Sequence, residues 1–264
     1  MCQESGPLGW HDRLIATDPD AQVSSRRALL ARIAALLAIA AALLLHGERE
    51  TDSGLELRAA APTPAPRSLI ATAKVPSLQV YGRPTAPSPN RVLANPTPTG
   101  GPLVLLVERL RGNWLLALLP VRPNGSRGWI RASDVRLDRT SYRVDVSLSR
   151  HRVRVLRGDR EVLEAPIAVG TRDTPTPGGK YFLKELLRPP DPDTVYGTYA
   201  YGLSGFSSVF TSFAGGEGVI GLHGTNDPSV IGQDVSSGCI RMRNRDIKRL
   251  VPLLPLGTPV RIEG

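Results

Sequence analysis

Apolar and polar positions divide the chain into stretches with different periods. From Ala28 to Leu45 the run ALLARIAALLAIAAALLL is apolar on every side, broken only by Arg32 and preceded by Arg26 and Arg27. Crossing about 30 Å of hydrocarbon takes about 20 apolar residues, and Arg32 can snorkel toward Arg26 and Arg27, so residues 28–46 read as an N-terminal transmembrane helix. Cations precede the run, and Glu48, Glu50 and Asp52 follow it. That asymmetry predicts a cytoplasmic tail over 1–27 and the remainder outside the membrane. A secreted protein is the competing reading, because the uncharged run Ile33–Leu45 has the length of a signal-peptide core, although no small-x-small cleavage site directly follows it. Residues 47–67 are charged and then Ala/Pro-rich, a composition that builds no core and reads as a linker.

Beyond the linker the apolar runs shorten. Leu78–Tyr81, Leu103–Val107, Trp114–Leu119 and Trp129–Ile130 are separated by turn clusters, which predicts a small barrel of about five strands over 68–138. At Tyr142 the period becomes two. Tyr142, Val144, Val146 and Leu148 fall on one face, and Val153 and Val155 resume after Ser149-Arg150, as in a hairpin. Further strands are predicted at Glu164–Val169, Lys180–Leu183, Val219–His223, Cys239–Met242 and Pro259–Ile262. One short helix is expected near the C-terminus, capped by Asn244, with Asp246 in its first turn and Ile247, Leu250 and Val251 on one face before Pro252.

Composition sharpens this mostly β picture. Among 264 residues, 26 Gly and 24 Pro exceed the usual share and argue against a helical bundle, while the scarcity of aromatic residues leaves Val, Leu and Ile to fill the cores. With cysteines only at 2 and 239 there is no disulfide framework and no cluster for zinc or iron–sulfur, so no metal and no cofactor are expected. Charge is uneven: residues 1–66 carry −2, 67–140 carry +8 and 141–264 carry +3. A basic middle stretch suits nucleic acid, anionic lipid or an acidic polymer. The predicted topology argues against nucleic acid and leaves an acidic polymer or anionic lipid outside the membrane.

Candidate chemistry gathers around Cys239, the sole cysteine on the outer side of the predicted membrane segment. His223 lies sixteen residues upstream, and if both segments are strands of one sheet the two side chains can lie side by side. An imidazole within hydrogen-bond reach of a thiol takes its proton and makes the thiolate. Period two places Arg241 on the face of Cys239, and Ile240 and Met242 on the core face. Arg241 would then tune the thiol or bind a substrate carboxylate. Gly238 lets a carbonyl approach the backbone, so N–H groups around Gly238 and Cys239 are candidates for oxyanion binding. Gly224 offers a carbonyl to orient the imidazole, with Asp227 as the alternative.

These residues carry a resemblance. The block His223-Gly224-Thr225, Ser236-Ser237-Gly238-Cys239-Ile240-Arg241-Met242 and Leu256-Gly257-Thr258-Pro259-Val260 resembles the L,D-transpeptidase catalytic domain of the YkuD type. Val144-Asp145-Val146-Ser147, Val169-Gly170 and Thr174-Pro175-Thr176-Pro177-Gly178-Gly179 extend it across 141–263. The resemblance implies a β-sandwich or barrel, a working set of Cys239, His223 and Gly224, and substrate or oxyanion contacts at Ser236, Ser237, Gly238 and Arg241. It also implies two-step acyl transfer on peptidoglycan stem peptides: a thioester forms at the third residue, D-Ala leaves, and a neighbouring amine takes the acyl group. Carbapenem-type β-lactams are the implied inhibitors, and anionic wall polymers or the membrane surface become the expected partners of the basic middle stretch. One departure is Ser237, where many members carry a second His. Asn113-Trp114-Leu115 and Gly128-Trp129-Ile130 before Asp134-Val135 resemble bacterial SH3-like domains of wall proteins. The rivals are a sortase, disfavoured by the short His223–Cys239 spacing, and a non-catalytic wall-binding protein.

Overall fold

The computed structural model describes residues 67–212 and 217–264, which belong to one compact unit. The expected tail, membrane segment and nearly all of the linker lie outside the described residues. Among the described residues, no helix is long and apolar enough to cross a membrane.

Seven strands come first: β1 (Ser68–Ala73), β2 (Ser77–Val80), β3 (Arg91–Ala94), β4 (Val104–Arg111), β5 (Trp114–Leu118), β6 (Arg127–Arg131) and β7 (Val135–Thr140). Five form an antiparallel sheet in the order β6-β5-β4-β1-β7, and β2-β3 form a hairpin. A bridge between Tyr81 and Trp129 joins that hairpin to β6. Alternation decides which side is buried: Leu115, Ala117 and Ile130 have no exposed surface, whereas Trp114, Leu116 and Trp129 on the opposite face are half-buried.

Nine strands and a helix follow: β8 (Tyr142–Ser147), β9 (Arg152–Arg157), β10 (Arg160–Gly170), β11 (Gly179–Leu187), β12 (Ala200–Phe206), β13 (Val219–His223), β14 (Asp234–Ser236), β15 (Ile240–Met242), α1 (Asn244–Leu250) and β16 (Pro259–Glu263). Their order is β14-β10-β15-β13-β12-β11-β16-β8-β9, and β9 pairs in addition with β10, so the sheet returns on itself around one core. β10 is the hinge of this arrangement. It pairs with β9 over Arg160–Pro166, with β15 at Ile167 and Ala168, and with β14 at Val169 and Gly170. Pro166, which cannot donate to a ladder, sits where β10 changes partners.

The predicted strands at 164–169, 180–183, 219–223 and 259–262 lie within observed ones; the predicted hairpin is observed as β8 and β9, with Leu148 in the turn rather than the strand, and Cys239 precedes β15 instead of opening it. The helix cap differs too. α1 begins at Asn244, but Arg243 occupies the capping position and the Asn244 side chain caps nothing in the helix. Its amide is drawn instead toward the site.

The two sheets share contacts. Phe182, from β11, is wholly buried within the cluster built by β1, β4, β5 and β6. Arg122, between β5 and β6, donates to the carbonyls of Ser207 and Phe210, both at 2.8 Å, and of Glu217 at 3.1 Å, while its guanidinium lies 4.9 Å over the Phe206 ring. Asn124 pairs with both backbone groups of Phe206, each at 2.8 Å.

Candidate active site

β13 and β15 run parallel, with Leu222 opposite Ile240 and His223 opposite Arg241. Ile220, Leu222, Ile240 and Met242 point into the core and are buried. Alternation therefore sends Gly221, His223, Cys239 and Arg241 to the other face, as two adjacent rows. The crossover from β13 to β15 supplies β14 and a tight turn, 236–239, that presents the thiol just before β15 begins.

Ser236 shapes that turn. Its buried hydroxyl accepts from the Gly238 N–H at 3.1 Å and donates to the Cys239 carbonyl at 2.6 Å. Its own carbonyl accepts from Thr171 N at 3.1 Å and from Thr174 Oγ1 at 3.0 Å, so the Thr-Pro-Thr-Pro segment buttresses the nucleophile. The Ser236 hydroxyl is thus engaged within the turn, and the Gly238 N–H is given to it. Gly238 is needed for another reason: its φ is +109°, and a Cβ there would come within 3.2 Å of Ile220 Cδ1 and 3.3 Å of the Pro175 carbonyl. The Cys239 N–H has no acceptor among the described residues. Ser237 is exposed at the rim.

The imidazole is fixed by the backbone. His223 Nδ1 lies 2.6 Å from the Gly224 carbonyl, which can only accept, so Nδ1 carries the proton and Nε2 presents a lone pair. Asp227, the alternative orienter, spends its carboxylate on the backbone and hydroxyl of Ser229. Burial pushes the His223 pKa down to about 4, opposed by the Gly224 bond and reinforced by the Arg241 charge. Burial likewise raises the Cys239 thiol, against the Gly221 N–H and Arg241, which lower it. The Gly221 N–H donates to Sγ at 3.4 Å. A Cβ on Gly221 would sit 3.3 Å from His223 Cδ2 and 3.7 Å from Cys239 Sγ, so this glycine keeps open the space between base and nucleophile. Arg241 completes the group, and its buried Nε has no partner among the described residues.

Two further residues of the site carry no local sequence signal. Tyr196 meets His223 edge to face, with ring centroids 5.1 Å apart. Its hydroxyl is pushed up by burial and by the Cys239 charge, against Arg241. Asn244 Oδ1 accepts from Thr198 N at 3.0 Å and Thr225 N at 3.3 Å, tying the segment after Tyr196 to the segment after His223. Gly197 and Gly224 admit that amide, because a Cβ on either would lie 2.1 Å from Oδ1.

A family model described as the L,D-transpeptidase catalytic domain, YkuD, matches residues 141–262. A Bacillus licheniformis protein bearing the name L,D-transpeptidase YkuD is 37% identical over 153 residues, covering 55% of this chain and 84% of that protein. Its Bacillus subtilis namesake is 35% identical over 121 residues, covering 46% of this chain and 65% of that protein. Among solved structures, Bd1075 of Bdellovibrio bacteriovorus is similar over 47% of this chain and 48% of that one, with 29% identity and a TM-score of 0.38.

Proposed function

Because this chain belongs to the YkuD-type L,D-transpeptidase family, we propose that it is a cysteine-dependent acyltransferase that cross-links third-position residues of peptidoglycan stems. The observation that carries the reading is the pairing of an oriented, neutral His223 with Cys239 across the gap left by Gly221.

His223 Nε2 takes the thiol proton as Sγ attacks the carbonyl carbon between the third stem residue and D-Ala. The Cys239 N–H receives the oxyanion, and the protonated imidazole gives its proton to the departing amine. The C–N bond breaks, D-Ala leaves, and a thioester remains. An acceptor amine then attacks the thioester, passing its proton through His223 to the thiolate as the C–S bond breaks. Arg241, a cation beside the thiol, binds a substrate carboxylate. Carbapenem-type β-lactams acylate the same sulfur by ring opening.

The remaining assignments follow from the sequence. Residues 28–46 anchor the chain in the cell membrane with the catalytic part outside, 47–67 space it from the bilayer, 68–138 form an SH3-like domain and 141–263 the catalytic domain. The test is intact mass of the detergent-solubilised chain after exposure to a carbapenem, beside Cys239→Ala and His223→Ala variants. A single adduct is expected on the parent protein, absent from Cys239→Ala and slow to form on His223→Ala. A folded parent protein that forms no adduct, or an adduct that survives Cys239→Ala, overturns the assignment.

A further inference from the structure

The outer face of β4, β5 and β6 has no part in the chemistry above. Its register sets Arg111, Trp114 and Arg131 in one row and Arg109, Leu116 and Trp129 in the next, with Tyr81 bridged to Trp129 at the end. The Arg131 guanidinium lies 4.9 Å over the Trp114 ring and 5.5 Å over the Tyr81 ring, and those two rings meet edge to face at 5.1 Å.

All three arginines are exposed, and none makes an ion pair among the described residues. The nearby acid, Glu108, is held by Arg127 and Lys180 and neutralises none of them. The two rings hold the Arg131 cation at the surface, and its guanidinium donates to no acceptor among the described residues, an arrangement open to an anion. The face thus combines uncompensated cations with half-buried tryptophans, apolar platforms that a solvated charge run does not need. Arg111 and Arg131 flank Trp114 two strand spacings apart, about 10 Å, which is the reach of a disaccharide.

We propose that this face docks a polyanionic glycan, with a sugar ring against Trp129 and carboxylates against Arg109, Arg111 and Arg131. The proposal rests on the wall-directed reading above only for where such a polymer would be met; the recognition chemistry stands on the face itself.

Calorimetric titration of the full chain in detergent tests it, with polygalacturonate as the probe, chitotetraose as the neutral sugar and polyphosphate as the sugar-free polyanion. Polygalacturonate is expected to bind, chitotetraose not to, and polyphosphate to bind more weakly. Arg109→Glu/Arg111→Glu, two exposed changes, should weaken polygalacturonate about tenfold or more at fixed salt. Trp129→Ala, checked for folding by its melting temperature, should lose the preference for polygalacturonate over polyphosphate. Equal binding of both polyanions, indifference to the Glu variants, or capture by anionic vesicles in place of the glycan overturns the proposal. Carbapenem acylation of Cys239 is read on the same samples and should be unchanged in the Glu variants. Glycan binding without acylation in the parent protein defeats the transpeptidase assignment and leaves this one standing; acylation without glycan binding does the reverse.

Discussion

Burial leaves Cys239 and His223 uncharged at rest. The thiol lies above its ordinary range and the imidazole at about 4, so the pair waits as a thiol and a neutral base, and the proton moves only when an electrophile arrives. Carbapenem acylation should therefore hold level from about pH 8 to about pH 5 and fall with a midpoint near 4, where a solvated imidazole would give about 6.5. Mass-resolved time courses across pH would show which. The same shift is a stability statement. The unfolded chain binds a proton at about 6.5 that the native imidazole refuses until about 4, so stability present above the higher value drains away as pH falls between the two, by about 3 kcal/mol. Urea melts of the parent and of His223→Ala should diverge in that window. Gly221→Ala makes a different prediction: its methyl presses on the imidazole at 3.3 Å, and a displacement of a few tenths of an ångström should slow acylation about tenfold while the melting temperature barely moves.

At the scale of elements, the nucleophile depends on a turn and two clasped segments. Gly238→Ala forces a side chain into φ +109° against the Pro175 carbonyl and should cost about 1–3 kcal/mol by denaturant titration. Asn244→Ala removes the acceptor shared by Thr198 and Thr225, costing about 1–3 kcal/mol. It should also slow acylation, because the Gly224 carbonyl that orients His223 sits in one of the clasped segments. β13 and β15 were legible because their core residues alternate with Gly221, His223 and Arg241, and a strand with one covered face announces itself that way. β12 was not. Nearly all its residues are buried, so no alternation exists, and its glycines are filled from outside: a Cβ on Gly202 or Gly205 would meet Glu185 or Tyr181 at 2.4 Å. Asn244 looked like a cap because capping chemistry is local, whereas its actual partners lie 46 and 19 residues away. Tyr196 reaches the imidazole from an irregular segment, where periodicity says nothing.

Across the whole molecule, the connection between the strands β12 and β13 is held by residues from the other sheet. Arg122→Ala removes donors to three carbonyls, and limited proteolysis should cut that connection faster than in the parent protein. Nothing in the local sequence around Arg122 marks it out among its basic neighbours, since its partners are carbonyls 85 to 95 positions later. Phe182 goes further, for it is contributed by a strand of the second sheet and packed entirely inside the first. Neither sheet can melt and leave the other whole: loss of the first strips the wrapping from a large ring on β11, and loss of the second empties a hole in the first sheet's interior. Scanning calorimetry should accordingly record a single endotherm for residues 67–264 whose van't Hoff and calorimetric enthalpies agree, so that the division between 68–138 and 141–263 is a boundary in the sequence and not in the thermodynamics.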